Sequence, residues 1–345
     1  MFDCSHFAFA YGAPAGSGKI KASPEDFRVN EILGFNLSGE GEHLYLQVEK
    51  KGLNTEELVK ALARDLGRPA KTISYAGLKD KGAITTQWLS IHCPGEEINS
   101  PLLLQGEGWH VVQHQRHAKK LRTGALAANE FSLVIRNISD SEDVETRLQK
   151  IYRNGIPNYF GAQRFGYENQ NLVKAEKLLL GGDKVRNHFL RGLYYSAARS
   201  FLFNQILSQR VQTETWNKAV AGDVMQLAGT NSIFAIDEPD EVIIKRVSEF
   251  DISPAAPLWG RGEERVSKQA LIRQRQALSE YESWCDALEK HGLERSYRSL
   301  ILKVENMKWD WQGNLLHLSF RLPSGSYATS VVRELMKELP HDTGV

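Results

Sequence analysis

The residue group in this chain most suggestive of chemistry is an aspartate set between two cations, Lys79-Asp80-Lys81. It lies in Ser74-Tyr75-Ala76-Gly77-Leu78-Lys79-Asp80-Lys81-Gly82, which is expected to join a helix to a strand, with Gly77 and Gly82 permitting a tight connection. The same residues fit an exposed turn, because aspartate is a common turn former. Other reactive side chains are grouped less tellingly. His110, His114 and His117 could line one helical face and bind a metal. Trp109 to Gln113 reads as a strand, however, and no acidic second shell accompanies the histidines, so no metal site is expected. Arg116, Lys119, Lys120 and Arg122 make this segment a better candidate for contact with an RNA backbone. A second basic run, Lys184 to Arg191, encloses Phe189 and suits either an RNA contact or a solvated helix end. Cys4, Cys93 and Cys285 are odd in number and widely spaced, which suggests three reduced thiols and neither a disulfide framework nor a zinc site. Ala15-Gly-Ser-Gly-Lys-Ile20 lacks the first glycine and the hydroxyl residue of a phosphate loop, and Gly260-Arg-Gly-Glu-Glu-Arg265 lacks the dinucleotide pattern.

Several elements must position these groups. His43 to Glu49 alternates so that Leu44, Leu46 and Val48 share one strand face. From Asn54, Leu58, Leu62 and Leu66 recur at helical spacing, Glu57 completes a capping box, and Gly67 with Pro69 end the run. Strands are expected at Gln87 to Cys93 and Glu130 to Arg136. After about Ser141 the periods turn helical: Val144, Leu148 and Ile151, then Leu172 to Leu180, Leu193 to Val211, and Gln269 to Leu288. Leu316, Leu318, Phe320 and Leu322 restore strand alternation, and a Ser/Gly turn leads into a helix holding Val331, Val332, Leu335 and Met336. A β-rich start and end around a helical middle suggest one domain inserted in another.

The 345 residues, 41% hydrophobic and 25% charged, have globular composition. No apolar run approaches the roughly 18 residues of a membrane helix, and the start lacks a signal-peptide pattern, so a cytoplasmic protein is expected. A net charge of +1 does not advertise a nucleic-acid binder, which leaves that case to local clusters.

Four segments carry a resemblance. Lys21-Ala-Ser-Pro-Glu-Asp-Phe27-Arg-Val-Asn-Glu31, Ala76-Gly-Leu-Lys-Asp80-Lys, Asn158-Tyr-Phe-Gly-Ala-Gln163-Arg-Phe-Gly166 and Ser324-Gly-Ser-Tyr327-Ala-Thr-Ser-Val-Val-Arg-Glu334 resemble, in order, the signatures of the TruD family of pseudouridine synthases. The resemblance runs from about Lys21 to Glu334. It implies an α+β catalytic domain with a largely antiparallel mixed sheet, formed by about residues 1–153 and 305–345, with a helix-rich α/β TRUD domain inserted over residues 154–304. It also implies conversion of uridine-13 in the D arm of tRNA to pseudouridine, with tRNA as partner, no cofactor, and no obligate protein partner.

On this resemblance Asp80 is the catalytic carboxylate, a nucleophile toward C1′ or a base for the C2′ proton. It must stay ionised, and a neighbouring cation favours that. Lys21, Lys79 and Lys81 are candidates, Lys21 foremost because it comes from another segment; for all three the alternative is a surface charge or a phosphate contact. A uridine in folded RNA must leave its stack, and the resemblance places Phe27 and Tyr327 as aromatic walls for it. Tyr327 stands where phenylalanine is expected. Asn129 is implied as a contact to the uracil edge, and Leu78 stands where many relatives have glutamine. Gln163 and Arg164 could touch RNA or support the inserted domain. Two rivals differ in kind: an RNA-binding protein without chemistry, and a metal-dependent nuclease or deaminase, for which no carboxylate or Cys/His cluster is found.

Overall fold

The computed structural model describes residues 6–339 and divides into two compact units. One contains residues 15–144, 304–326 and 336–339; the other contains residues 6–14, 145–303 and 327–335. Cys4 and the outer ends of the expected catalytic region, residues 1–5 and 340–345, lie outside the described residues.

The first unit is built on a nine-stranded sheet. Its order runs Glu305–Gln312, Leu315–Pro323, Leu126–Ile135, Phe27–Leu33, Ile84–His92, His43–Lys50, Trp109–His117, Gln105–Gly106, with Ile73–Tyr75 also paired to Ile84–His92. Phe27–Leu33 runs parallel to Ile84–His92, and the other neighbouring pairs in this sheet are antiparallel. The expected α+β class with a largely antiparallel mixed sheet is what the chain adopts.

The alternation read in the sequence sets the faces. Leu44, Leu46 and Val48 point to one side with Leu89, Ile91 and Cys93, and all are buried. Over them lies the helix Thr55–Asp65, which sinks Leu58 and Leu62 completely. Asn54 caps that helix: its side chain accepts from Glu57 N at 2.8 Å, and the Glu57 carboxylate accepts from Asn54 N at 2.8 Å. Gly67, at φ +62°, takes the left-handed conformation that releases the chain after the helix, a position glycine occupies at little cost.

The parallel pairing brings two of the candidate segments together. Arg28 pairs with Ile84, so the segments entering these two strands, residues 21–26 and 76–83, arrive at the same end of the sheet. Lys50 ends an antiparallel neighbour at that end too, paired with Thr85. On the face shared with Val48, the apolar part lies beneath the helix, whereas Lys50, Thr85, Gln87 and Glu31 make the rest polar and buried.

The second unit is helix-rich around His188–Gln212, whose Phe201, Leu202, Phe203 and Leu207 are fully or almost fully buried. Ser141–Asn154 buries Val144, Leu148 and Ile151 as its period requires. One expectation is corrected here. The segment Gln269 to Leu288 is not one helix but Lys268–Leu278 and Glu282–Lys290, separated by a 3-10 turn at Ser279–Tyr281. The middle of the chain also holds a four-stranded antiparallel sheet, in the order Ile233–Ala235, Val224–Leu227, Ile252–Leu258, Ser296–Ser299. Three of those strands have only three or four residues, and none of the four carries a regular alternation of buried and exposed residues. Cys93 and Cys285 are buried free thiols. No helix among the described residues is long and apolar enough to cross a membrane.

Candidate active site

Asp80 sits in a loop between two strands, Ile73–Tyr75 and Ile84–His92, rather than between a helix and a strand. The short strand escapes a periodicity search because three residues cannot display a period. Neither Gly77 nor Gly82 takes a positive φ, so the tightness of the loop comes from hydrogen bonds. Gly124 N donates to Ala76 O at 2.8 Å, Lys79 N to the Thr55 hydroxyl at 2.9 Å, and Gly82 N to Asp80 Oδ1 at 3.1 Å. Thr55 is itself fixed, donating to Gln87 Oε1 at 3.0 Å in the buried layer under the helix.

Of the three candidate lysines, Lys21 is the one that meets Asp80, with Nζ 2.5 Å from Oδ2. Its backbone is left-handed, at φ +52°. A side chain there costs about 1 kcal/mol or more, so the flanking structure must impose it. Arg136 does so from both sides. Lys19 and Arg136 exchange backbone hydrogen bonds at 2.8 and 2.9 Å just before Lys21, and the Arg136 guanidinium grips Asp26 through two bonds, of 2.8 and 2.7 Å, just after it. The Lys21 ammonium also lies 4.5 Å from the centre of the Phe27 ring. Lys79 turns instead to the buried Glu31 carboxylate, and Lys81 to Glu57 at 3.2 Å.

The electrostatics favour an ionised Asp80. Partial burial pushes its carboxyl up, but the Lys21 ammonium, the Gly82 N–H and the charge on Lys50 outweigh this and hold it below the usual carboxylate range. The side chain remains 47% exposed. A carboxylate that is anionic, fixed in aim and reachable from solvent can serve as a nucleophile or a base. Glu31 differs: burial raises its carboxyl against the opposing pull of Lys79, the Trp88 N–H and Lys50.

Phe27 is 5% exposed and packs edge-on to Phe131, with 6.2 Å between ring centres. Its contact with Lys21 makes it a floor for the ammonium. Asn129 pairs directly with Glu31 across two antiparallel strands, so the two side chains leave the same face. The Asn129 Oδ1 atom is buried and has no hydrogen-bond partner. Buried acceptors are nearly always satisfied, so this one asks for a donor. Tyr327 belongs to the other unit, where it meets Phe160 edge-on at 6.4 Å. Arg164 also lies there, its guanidinium 5.4 Å from the Phe160 ring centre and bonded to the Ser196 hydroxyl at 3.2 Å.

The basic segment divides. Arg116 is turned inward to Cys93 O at 3.1 Å and to Glu96 O, which gives it a structural role, while Lys119, Lys120 and Arg122 are exposed. The strand Trp109–His117 carries all three histidines, so the helical face needed to gather them does not form. In the second basic run Asn187 caps the helix at His188, and Phe189 is exposed.

Lys50 joins the site without being among the candidates expected from the sequence. Its ammonium donates to Leu53 O at 2.6 Å and to Asp80 O at 2.9 Å, and the residue is 1% exposed. The signal was available: Lys50 continues the inward phase of Leu44, Leu46 and Val48.

Comparison with known proteins agrees with the resemblance. The family model for tRNA pseudouridine synthase D (TruD) matches residues 5–186 and 170–335. The chain is 50% identical over 329 residues to tRNA pseudouridine synthase D of Legionella pneumophila (strain Lens), covering 95% of this chain and 97% of that one. It is 45% identical over 335 residues to the protein of that name from Hydrogenovibrio crunogenus, covering 96% of each. A solved structure of a Methanosarcina mazei protein described as a tRNA pseudouridine synthase D superposes with a TM-score of 0.72 at 22% identity, covering 95% of both chains, which shows a shared fold.

Proposed function

This chain belongs to the TruD family, tRNA pseudouridine synthase D, and from that premise we propose that it isomerises uridine-13 in the D arm of tRNA to pseudouridine, with Asp80 as the catalytic carboxylate. The observation that carries the reading is the Asp80 carboxylate itself, held ionised and aimed by Lys21 and Gly82 while half open to solvent.

In this reading an extruded uridine presents C1′ and C2′ to Asp80. Breaking the glycosidic bond builds positive charge on the ribose, which an anionic oxygen stabilises, bonds to, or relieves by taking the C2′ proton. Uracil then rotates and bonds to C1′ through C5, as the bond to Asp80 breaks or the C2′ proton returns; C5 gives up its proton and N1, released from the ribose, gains one. The atoms of substrate and product are the same, so no cofactor is consumed. Asn129 offers its unpartnered Oδ1 to the uracil imide N–H. Phe27 forms part of the pocket floor beneath Lys21. Tyr327 is kept as a stacking residue on family resemblance alone. Lys119, Lys120 and Arg122 are assigned to the RNA backbone, and the cytoplasm is the site of action.

The test incubates purified protein with unmodified tRNA and maps pseudouridine by carbodiimide-blocked primer extension. A new stop in the D arm with the natural protein, and none with Asp80→Asn at undiminished tRNA affinity, is the expected result. No signal from the natural protein would overturn the assignment. Full activity of Asp80→Asn would remove Asp80 from the chemistry.

A further inference from the structure

We propose that Lys50 is a positioning residue for this reaction: its buried ammonium clamps the backbone carbonyl of Asp80 and thereby fixes where the carboxylate points. The inference rests on the assignment of Asp80 as the catalytic carboxylate and adds to it a residue from a different strand.

The geometry makes a two-ended clamp. At one end of the Lys79-Asp80 dipeptide, Lys79 N donates to the Thr55 hydroxyl at 2.9 Å. At the other end, Asp80 O accepts from Lys50 Nζ at 2.9 Å. With both ends held, the Asp80 backbone cannot swing, and the side-chain torsions are then set by Lys21 at 2.5 Å and Gly82 N at 3.1 Å. Lys50 Nζ also donates to Leu53 O at 2.6 Å, so the clamp is referred to the junction between a strand and the helix Thr55–Asp65. A mispositioning of about 1 Å at a reacting group can cost about 100-fold in rate.

Stability alone gives little reason for a lysine here. A fully buried ammonium is rare and costly, and an apolar side chain would continue the run of Leu44, Leu46 and Val48 without that cost. The charge has surroundings that use it. Asp80 and Lys79 face it from the loop, Glu57 from the helix and Glu31 from the strand Phe27–Leu33, which lies beyond Ile84–His92 in the sheet. Burial lowers the Lys50 ammonium to about 8, with the three carboxylates opposing and Lys79 reinforcing that fall. Deprotonation weakens the grip on both carbonyls and removes one of the charges that keep Asp80 ionised.

The experiment measures kcat and KM for pseudouridine formation on unmodified tRNA, from pH 6 to about 9.5, for the natural protein, Lys50→Met, Lys50→Arg and Asp80→Asn. Lys50→Met is expected to lose about 100-fold in kcat, with KM for tRNA unchanged within about 2-fold. Lys50→Arg, which keeps a charge that does not titrate in this range, is expected to recover most of the neutral-pH rate and to lack the decline above about pH 8 shown by the natural protein. Wild-type kcat in Lys50→Met, a loss confined to KM, or superimposable pH profiles for Lys50→Arg and the natural protein would each overturn the proposal. Should Lys50→Met fail to fold, the Lys50→Arg profile decides. An active natural protein with an inactive Asp80→Asn and an unaffected Lys50→Met defeats this inference alone, whereas an inactive natural protein defeats the parent reading.

Discussion

At the scale of single residues, the central question is why Lys21 and not its competitors serves Asp80. Lys79 and Lys81 are the sequence neighbours, yet Glu31 and Glu57 engage them. Lys21 reaches Asp80 only because Arg136 holds the chain on both sides of it and its backbone accepts φ +52°. Asp80 has a depressed carboxyl, so its ionised form, and any activity that needs it, exists above that pKa and is lost as pH falls through it. Lys21→Met removes the strongest cause opposing burial and leaves only the Gly82 N–H and Lys50 to hold the carboxyl down. The acid limb of the kcat/KM profile is therefore expected to move to higher pH; an unmoved limb would mean that Lys21 does not set the charge of Asp80. The Lys21-Asp80 pairing was legible to the extent that adjacent residues on an extended segment diverge, which points to a partner from another segment. The inward direction of Lys50 was legible in its phase with Leu44, Leu46 and Val48, but its hold on the Asp80 carbonyl was not, because that contact joins a strand end to a distant loop.

At the scale of elements, the helix Thr55–Asp65 links stability to the site. Its start supplies Asn54 as cap, Thr55 as the acceptor for Lys79 N, and Glu57 as the partner of Lys81. Asn54→Ala removes the side-chain acceptor for Glu57 N and is expected to cost about 1 kcal/mol, read as a lower urea midpoint with an unchanged m-value. An unaltered midpoint would show that the cap contributes nothing. This helix was fully legible, because its cap, period and stop are all local signals. Equally local were the strand around Leu44 to Val48 and the helix carrying Val144, Leu148 and Ile151. What stayed hidden depends on pairing. Ile73–Tyr75 and the four-stranded sheet of the second unit are defined by hydrogen bonds to distant residues. The parallel pairing that delivers residues 21–26 and 76–83 to one end of the sheet is likewise invisible to any one-dimensional period.

At the scale of the whole molecule, the charge balance constrains how tRNA can be held. With 43 basic and 42 acidic residues the net charge is +1, so a diffuse attraction to phosphate is weak, and affinity must come from places where cations are exposed and acids are not interleaved. Much of the positive charge is already committed: Arg116 to carbonyls, Arg136 to Asp26, and Arg210 to Asp223 at 2.8 Å in the buried interior of the second unit. Lys119, Lys120 and Arg122 form an exposed run with no carboxylate between Arg116 and Arg122. Each phosphate contact contributes roughly 0.7 to 0.9 to the slope of log affinity against log salt. Replacing all three residues with alanine is therefore expected to make that slope shallower by about 2 to 3, with weaker tRNA binding at every salt concentration and kcat at saturating tRNA nearly unchanged. A triple variant with the natural slope would move the RNA backbone elsewhere, and the run from Lys184 to Arg191, in which Lys184 and Arg186 are exposed, would be the next segment to neutralise.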